Sequence, residues 1–243
     1  MNANAAELLA ATLAGLYAGA RTVFVGANSP IPAAAALLAR ARDPSLTILI
    51  HGHPGQSLFT NGSAEQFDFV AEGRLDVFVL GALQIDGAAN LNLVSIGDYK
   101  KPRLRFTGSF GSAFVYFLVP RVILFREEHT PRVLVPRVDF VSAQGTSPPG
   151  VHRPGGPTHL LTSKALFAFD RSAARFRLTH VHPGETTDTV RVATGFAFDV
   201  DGDVAQTPVP GKETLGLLRG TVAEELAPAY PQFVRAKLGA RNA

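Results

Sequence analysis

The chain has 243 residues, of which 46% are hydrophobic and 18% charged. That is ample apolar sequence for a packed globular core, and it excludes disorder as the main state, which needs little hydrophobicity and much charge. A balance of 23 Lys+Arg against 20 Asp+Glu leaves only +3, too weak a field to predict nucleic-acid binding, and the lack of any cysteine excludes disulfides, thiolate metal sites and a cysteine nucleophile. The apolar stretch Ala5–Ala20 has no positive start and contains Glu7, unlike a secretory signal. Phe114–Phe125 is broken by Pro120 and Arg121 and falls short of the ~20 residues of a spanning helix. A cytoplasmic protein without membrane attachment is expected.

Leu8, Leu9, Leu13, Leu16 and Tyr17 recur at helical spacing and predict a helix over Ala5–Ala18, stopped by Gly19. The run Thr22–Val25 predicts a strand ending at Gly26. An alanine-rich helix, Ala33–Arg42, follows Pro30 and Pro32, and a second strand, Leu46–Ile50, is closed by His51-Gly52-His53-Pro54-Gly55. This alternation predicts an α/β fold, with an open, mainly parallel sheet flanked by helices. Val77–Leu80 and Leu91–Ile96 are further strands around a Gly87–Asn90 turn. Ser112–Leu118 is a short helix, and Arg121–Phe125 and Val133–Val141 are strands. Gln144–Pro157, rich in proline and glycine, is a loop or boundary segment. Leu160–Phe169 and Arg175–Val181 flank a turn and make the second half hairpin-rich. Thr186 caps a helix over Thr187–Ala193, Phe196–Val200 is a strand, and helices near Lys212–Arg219 and Val222–Leu226 complete one domain over residues 1–243.

Nucleotide-loop and nucleophile-elbow signatures are missing: no G-x-G-x-x-G follows a strand, and neither Ser109 nor Ser112 sits in G-x-S-x-G. His51 and His53, like His180 and His182, are two apart, which on a strand puts both rings on one face. A metal would need a third ligand that the sequence does not name, so no metal is expected. Lys100, Lys101, Arg103 and Arg105 form the densest basic cluster. They suit either a solvated face or a counter-charge for a phosphate-bearing ligand.

Gly81-Ala82-Leu83-Gln84-Ile85-Asp86, Asn90-Leu91-Asn92, Gly97-Asp98-Tyr99 and Gly108-Ser109-Phe110-Gly111 form an ordered set. It continues through Glu127-Glu128-His129, Val138-Asp139-Phe140-Val141, Gly155-Gly156-Pro157 and His182-Pro183-Gly184. In this order the set resembles the β subunit of class I (glutaconate-type) CoA-transferases, over effectively the whole chain. The resemblance implies the fold shared with ribose-phosphate isomerases and a heteromer with an α subunit of the same fold. It also implies an acyl-CoA thioester as substrate rather than a resident cofactor, with carboxylates as co-substrates. Glycines before a helix start expose backbone N–H groups to a thioester oxyanion or a phosphate. Gly108, Ser109, Phe110, Gly111 and Ser112 are therefore expected to line the acyl-CoA site, with Gln84 and Asn92 presenting amides to it.

Members of the family carry a glutamate at the end of the second parallel strand that attacks the acyl-CoA. The corresponding segment here is Ile48-Leu49-Ile50-His51-Gly52-His53, without a carboxylate. Some relatives lacking this glutamate are ring-opening acyl-CoA hydrolases that take an acid from the partner subunit. His51 and His53 are then the catalytic candidates, able to position water or accept a proton near neutral pH. A non-catalytic ligand-binding subunit on the same fold is the third reading.

Overall fold

The computed structural model describes residues 2–54 and 59–239. The sequence reading has a single domain; the chain forms two compact units, one of Met1–Phe69, Arg74–Val79 and Pro208–Ala243, the other of Val70–Gly73 and Leu80–Thr207. The chain leaves the first unit and returns to it, which is why no linker composition marks the division.

The first unit opens with α1 (Ala5–Leu16). Asn4 caps it with a capping box: its side chain accepts from the Glu7 N–H at 3.0 Å, and its own N–H donates to Glu7 at 2.8 Å. β1 (Thr22–Val25) pairs in parallel with both β2 (Thr47–Ile50) and β3 (Val77–Leu80). Between them, α2 (Pro30–Arg42) starts three residues before the expected Ala33, because proline lacks only an N–H that the first helical turn leaves unused. Its Ala33–Ala36 are wholly buried, and side chains this small allow close packing. α3 (Gly62–Ala71) was not legible from periodicity; the Glu65 carboxylate secures its start by accepting from the N–H groups of Thr60 and Asn61, at 2.6 and 2.9 Å.

The second unit begins with two small hairpins, β4 (Gln84–Ile85) with β5 (Leu91–Asn92) and β6 (Ser95–Ile96) with β7 (Leu104–Arg105). After α4 (Ser112–Leu118) come β8 (Arg121–Arg126), β9 (Pro157–Thr162), β10 (Ala165–Asp170) and β11 (Arg175–Val181). α5 (Thr187–Ala193), capped by Thr186 as expected, and β12 (Ala205–Gln206) follow. The strands lie in the order β12-β11-β10-β9-β8, with β10 antiparallel to both neighbours and the outer pairs parallel. The chain then returns to the first unit as α6 (Lys212–Arg219) and α7 (Thr221–Leu226). The Arg219 guanidinium there donates to the fully buried Glu7 carboxylate, at 2.5 and 2.8 Å, and fixes α6 to the first turn of α1.

Four expected strands differ. Leu91–Ile96 is two short strands, β5 and β6, in separate hairpins. Leu160–Phe169 is two strands, turned at Ser163-Lys164. Val133–Val141 contains Pro136, which removes a ladder donor, and contributes only a bridge from Leu134 to Ile85. Phe196–Val200 makes a single bridge, Asp199 to Arg177. Phenylalanines carry the core here: Phe167 meets Phe176 at 6.1 Å and Phe198 at 5.2 Å between ring centroids, both edge-on. Each such ring, taken fully out of water, stabilises the fold by about 1.5–3 kcal/mol.

Candidate functional site

The end of β2 lies in the first unit. Its Ile50 side chain is buried, and the His51 N–H extends the ladder to the Val25 carbonyl at 3.0 Å. The strand stops there. Gly52 takes φ +81°, a conformation open chiefly to glycine, and the two imidazoles part. The expectation that a strand would put both rings on one face therefore fails. His51 is exposed, with its ring 6.5 Å from that of Phe24. His53 turns inward, and its Nε2–H donates to the Glu225 carbonyl of α7 at 2.8 Å. Of the two, His51 is accessible to a substrate, while His53 positions a helix. Gly55, which closes the expected loop, lies outside the described residues.

In the second unit, Gln84 and Asn92 face each other across the β4–β5 hairpin. Gln84 is 5% exposed and Asn92 0%. The Asn92 Nδ2 group donates to Gln84 Oε1 at 2.7 Å and to the Ser95 carbonyl at 2.6 Å. Its Oδ1 accepts from the N–H groups of Val94 and Ser95. Gln84 Nε2 donates to Asp139 Oδ2 at 3.1 Å, and Gln84 Oε1 also accepts from the Asp139 N–H at 3.0 Å. These amides, expected to present themselves to a ligand, bind hairpin to loop. The reason is burial: an amide removed from water must find its partners inside the protein. Asp139, for which the sequence suggested no role, completes the network by also accepting from the Gly97 N–H at 2.7 Å. Asp86 does similar work, accepting from the N–H groups of Ala88, Asn90 and Val138.

The glycine-rich loop, by contrast, is half-buried, with Phe110 exposed at its tip. Gly108 has φ +108°, and Phe110 has φ +48° while 75% exposed. A bulky non-glycine residue in the left-handed region is strained by roughly 1–3 kcal/mol, and such strain concentrates at functional loops. The Ser112 N–H closes the turn onto the Ser109 carbonyl at 2.9 Å, and Ser112 begins α4. Gly111 itself has φ −89°, so the conformational need for glycine sits at Gly108.

The basic cluster occupies the β6–β7 hairpin. Lys100 and Lys101 are exposed, with their N–H groups on Asp98 Oδ1 at 2.7 and 3.2 Å. Arg105 is held over the Tyr99 ring at 4.6 Å and donates to the Tyr99 carbonyl, and Tyr99 stacks on Phe140 at 4.7 Å. The hairpin thus presents cations beside a fixed aromatic pair.

Two motif histidines, 53 positions apart, meet at one threonine. His129 Nδ1 lies 2.7 Å from Thr162 Oγ1, a hydroxyl also 3.1 Å from the Ala165 carbonyl, and its Nε2–H donates to Thr194 Oγ1 at 2.9 Å; Thr194 in turn donates to the Val190 carbonyl. His182 Nε2–H donates to the Thr162 carbonyl at 2.9 Å, and its Nδ1 accepts from Thr207 Oγ1 at 2.8 Å. These roles fit two neutral imidazoles. Burial pushes the His129 pKa down to about 4, helped by the Lys164 charge, and burial lowers that of His182 as well. Both rings are framework. Among the described residues, no group of three or more His, Asp or Glu could hold a metal ion, and no helix is long and apolar enough to cross a membrane.

A family model described as coenzyme A transferase matches residues 3–193. The chain is 33% identical over 162 residues to the B subunit of glutaconate CoA-transferase from Acidaminococcus fermentans, covering 64% of this chain and 58% of that one. It is 29% identical over 168 residues to the cholesterol ring-cleaving hydrolase IpdB subunit of Mycobacterium tuberculosis strain H37Rv, covering 64% and 63%. The match thus spans less than two thirds of the length of these curated relatives. Against the solved structure of Rhodococcus jostii RHA1 IpdAB, the chain superposes with a TM-score of 0.80 at 26% identity, covering 99% of this chain and 100% of that one. With the family model matched over most of its length, the chain belongs to the coenzyme A transferase family, and its curated relatives include B subunits of that family.

Proposed function

We propose that this chain is the β-type subunit of a CoA-transferase-like heteromer acting on acyl-CoA thioesters and carboxylates in the cytoplasm. An α-type subunit is the partner, and the acyl-CoA is a substrate, not a resident cofactor. Family membership supports the substrate class. The strain of the Gly108–Ser112 loop, which is half-buried apart from the exposed Phe110, supports a ligand contact there. Gln84 and Asn92 serve this site at one remove, as positioning residues that fix the hairpin preceding the loop.

The carrying observation is the end of β2, where Ile50 and the exposed His51 stand in place of a carboxylate. An aliphatic side chain cannot form a glutamyl–CoA thioester. The same observation favours a second reading, hydrolysis. In the ring-opening form of that reading, an imidazole such as His51 takes a proton from water, the water oxygen bonds to a ring carbonyl carbon of the acyl group, the ring bond to that carbon breaks, and the carbon that leaves takes up a proton, so a carboxylic acid forms and the CoA thioester is kept. An acid from the partner subunit would assist.

The test is to incubate the assembled heteromer with acyl-CoA, reduce with borohydride, and measure the mass of each subunit. No adduct is expected on this chain, whether or not a carboxylate acceptor is present. A reduced glutamate mapped to it, at Glu65 or Glu72 for example, overturns the reading. Product analysis with and without an acceptor carboxylate then separates transfer from hydrolysis. Gly108→Val should reduce thioester turnover while the fold survives; unchanged turnover would make the loop a turn and nothing more.

A further inference from the structure

The proline- and glycine-rich segment that follows Val141 packs against α4 and leaves a cleft of about 450 Å³. This is within the range of small-molecule sites, roughly 300–1,000 Å³. Its wall combines the apolar residues Ala113, Phe117 and Val151 with the polar residues Gln144, Ser147 and Arg153. None of these residues has a part in the site proposed above.

Arg153 is held rigidly. Its Nε donates to the Gly155 carbonyl and one terminal nitrogen to the Tyr116 carbonyl, both at 3.0 Å. The guanidinium carbon stands 5.4 Å from the ring centroids of both Tyr116 and Phe117. The Gly155-Gly156 pair makes room for this arrangement. A β-carbon on Gly155 would lie 2.2 Å from the Val119 carbonyl oxygen, and one on Gly156 only 3.3 Å from Arg153 Nε. Every partner named here is a neutral carbonyl or a ring. Among the described residues no carboxylate pairs with Arg153, and a second cation, Arg171, acts on it and donates to the Arg153 and Gly155 carbonyls. Burial and that neighbour both pull the Arg153 pKa below its usual value, the signature of a cation without a counter-charge. A half-buried, pre-oriented guanidinium of this kind is suited to a carboxylate, which it meets with matching geometry.

We propose that this cleft is a binding site for a small aliphatic carboxylate, with the anionic group on Arg153 and the carbon chain against Ala113, Phe117 and Val151. Calorimetric titration of the full chain with glutarate, and with its uncharged dimethyl ester, tests this. Glutarate should bind and the ester should not. Arg153→Gln should abolish binding, but that side chain also holds two backbone carbonyls, so a second variant is needed. Val151 is 49% exposed, and Val151→Asp places a negative charge at the mouth without disturbing the interior. It should weaken glutarate at least tenfold while leaving the melting temperature unchanged. Equal binding of glutarate and ester, indifference to Val151→Asp, or displacement of glutarate by equimolar inorganic phosphate overturns the proposal.

A turnover arm rests on the acyl-CoA reading: in the assembled heteromer, Val151→Asp should raise KM for glutaryl-CoA several-fold more than that for butyryl-CoA, whose chain loses only an apolar contact. A parallel change in both overturns the carboxylate site. Absence of turnover with any thioester would instead count against the acyl-CoA reading, and the titration would still decide the cleft.

Discussion

Acidification should weaken the second unit through His129. The ring is 3% exposed, and its two nitrogens are committed to Thr162 and Thr194 in the neutral form. Its folded pKa of about 4 lies below the ordinary 6.5, so between these values the unfolded chain binds the extra proton and the folded chain does not. Stability is therefore fully present above about pH 6.5 and is lost as pH falls toward 4. Linkage gives a loss of about 2 kcal/mol at pH 5, and about 3 kcal/mol at pH 4, relative to pH 7.5. That is a large part of an ordinary folding free energy of ~5–15 kcal/mol. His182, shifted in the same direction, adds to it. Urea unfolding of the wild type and of His129→Gln at pH 7.5 and pH 5 isolates the effect. Glutamine keeps one donor and one acceptor but does not titrate, so the variant should lose about 2 kcal/mol less than the wild type over this interval. Equal losses in the two proteins would refute the assignment of His129 as a buried neutral imidazole.

Gln84→Leu should destabilise the chain by about 2–4 kcal/mol in denaturant unfolding, because it strands the Asn92 amide and the Asp139 N–H that Gln84 now satisfies; an effect on substrate affinity alone would return Gln84 to the ligand. His53→Ala should cost about 1–2 kcal/mol through loss of its bond to α7. His51→Ala should change stability by less than about 0.5 kcal/mol yet lower thioester turnover by the heteromer, and the reverse pattern would exchange the two roles. Gly155→Ala should abolish or severely impair folding, read by circular dichroism and yield, since its β-carbon meets backbone, whereas Gly211→Ala meets nothing within 4 Å and should fold normally.

What could be read from the sequence follows from which forces act locally. β1, β3, α4, α5 and α6 were legible to within a residue because periodicity, proline and capping residues fix them within a few positions. Val133–Val141 misled, since a strand requires a partner along its whole length and Pro136 permits only a bridge. The side chains proved harder than the backbone. Gln84 has the chemistry of a ligand donor, and only the arrival of Asp139 from 55 positions away shows that its hydrogen bonds are already made. Arg153 was invisible for the opposite reason: its neighbour Gly155 looks like a loop residue, and a missing carboxylate leaves no trace in a sequence.

The motifs that carry the family resemblance turn out to be joined to one another. Gln84 meets Asn92 and Asp139; Asp86 meets Asn90 and Val138; His129 and His182 meet at Thr162; the Gly155-Gly156 pair admits Arg153. Each is a buried polar group or a tight approach whose loss would cost more than an ordinary surface contact. They specify the frame and are indifferent to the group at the end of β2. A chain can therefore keep every one of them, and with them its place in the family, whatever residue ends β2, where this chain has Ile50 and His51. Family membership and reaction type are separable here on physical grounds, and the reaction has to be decided by the mass of the subunits after turnover rather than by further resemblance.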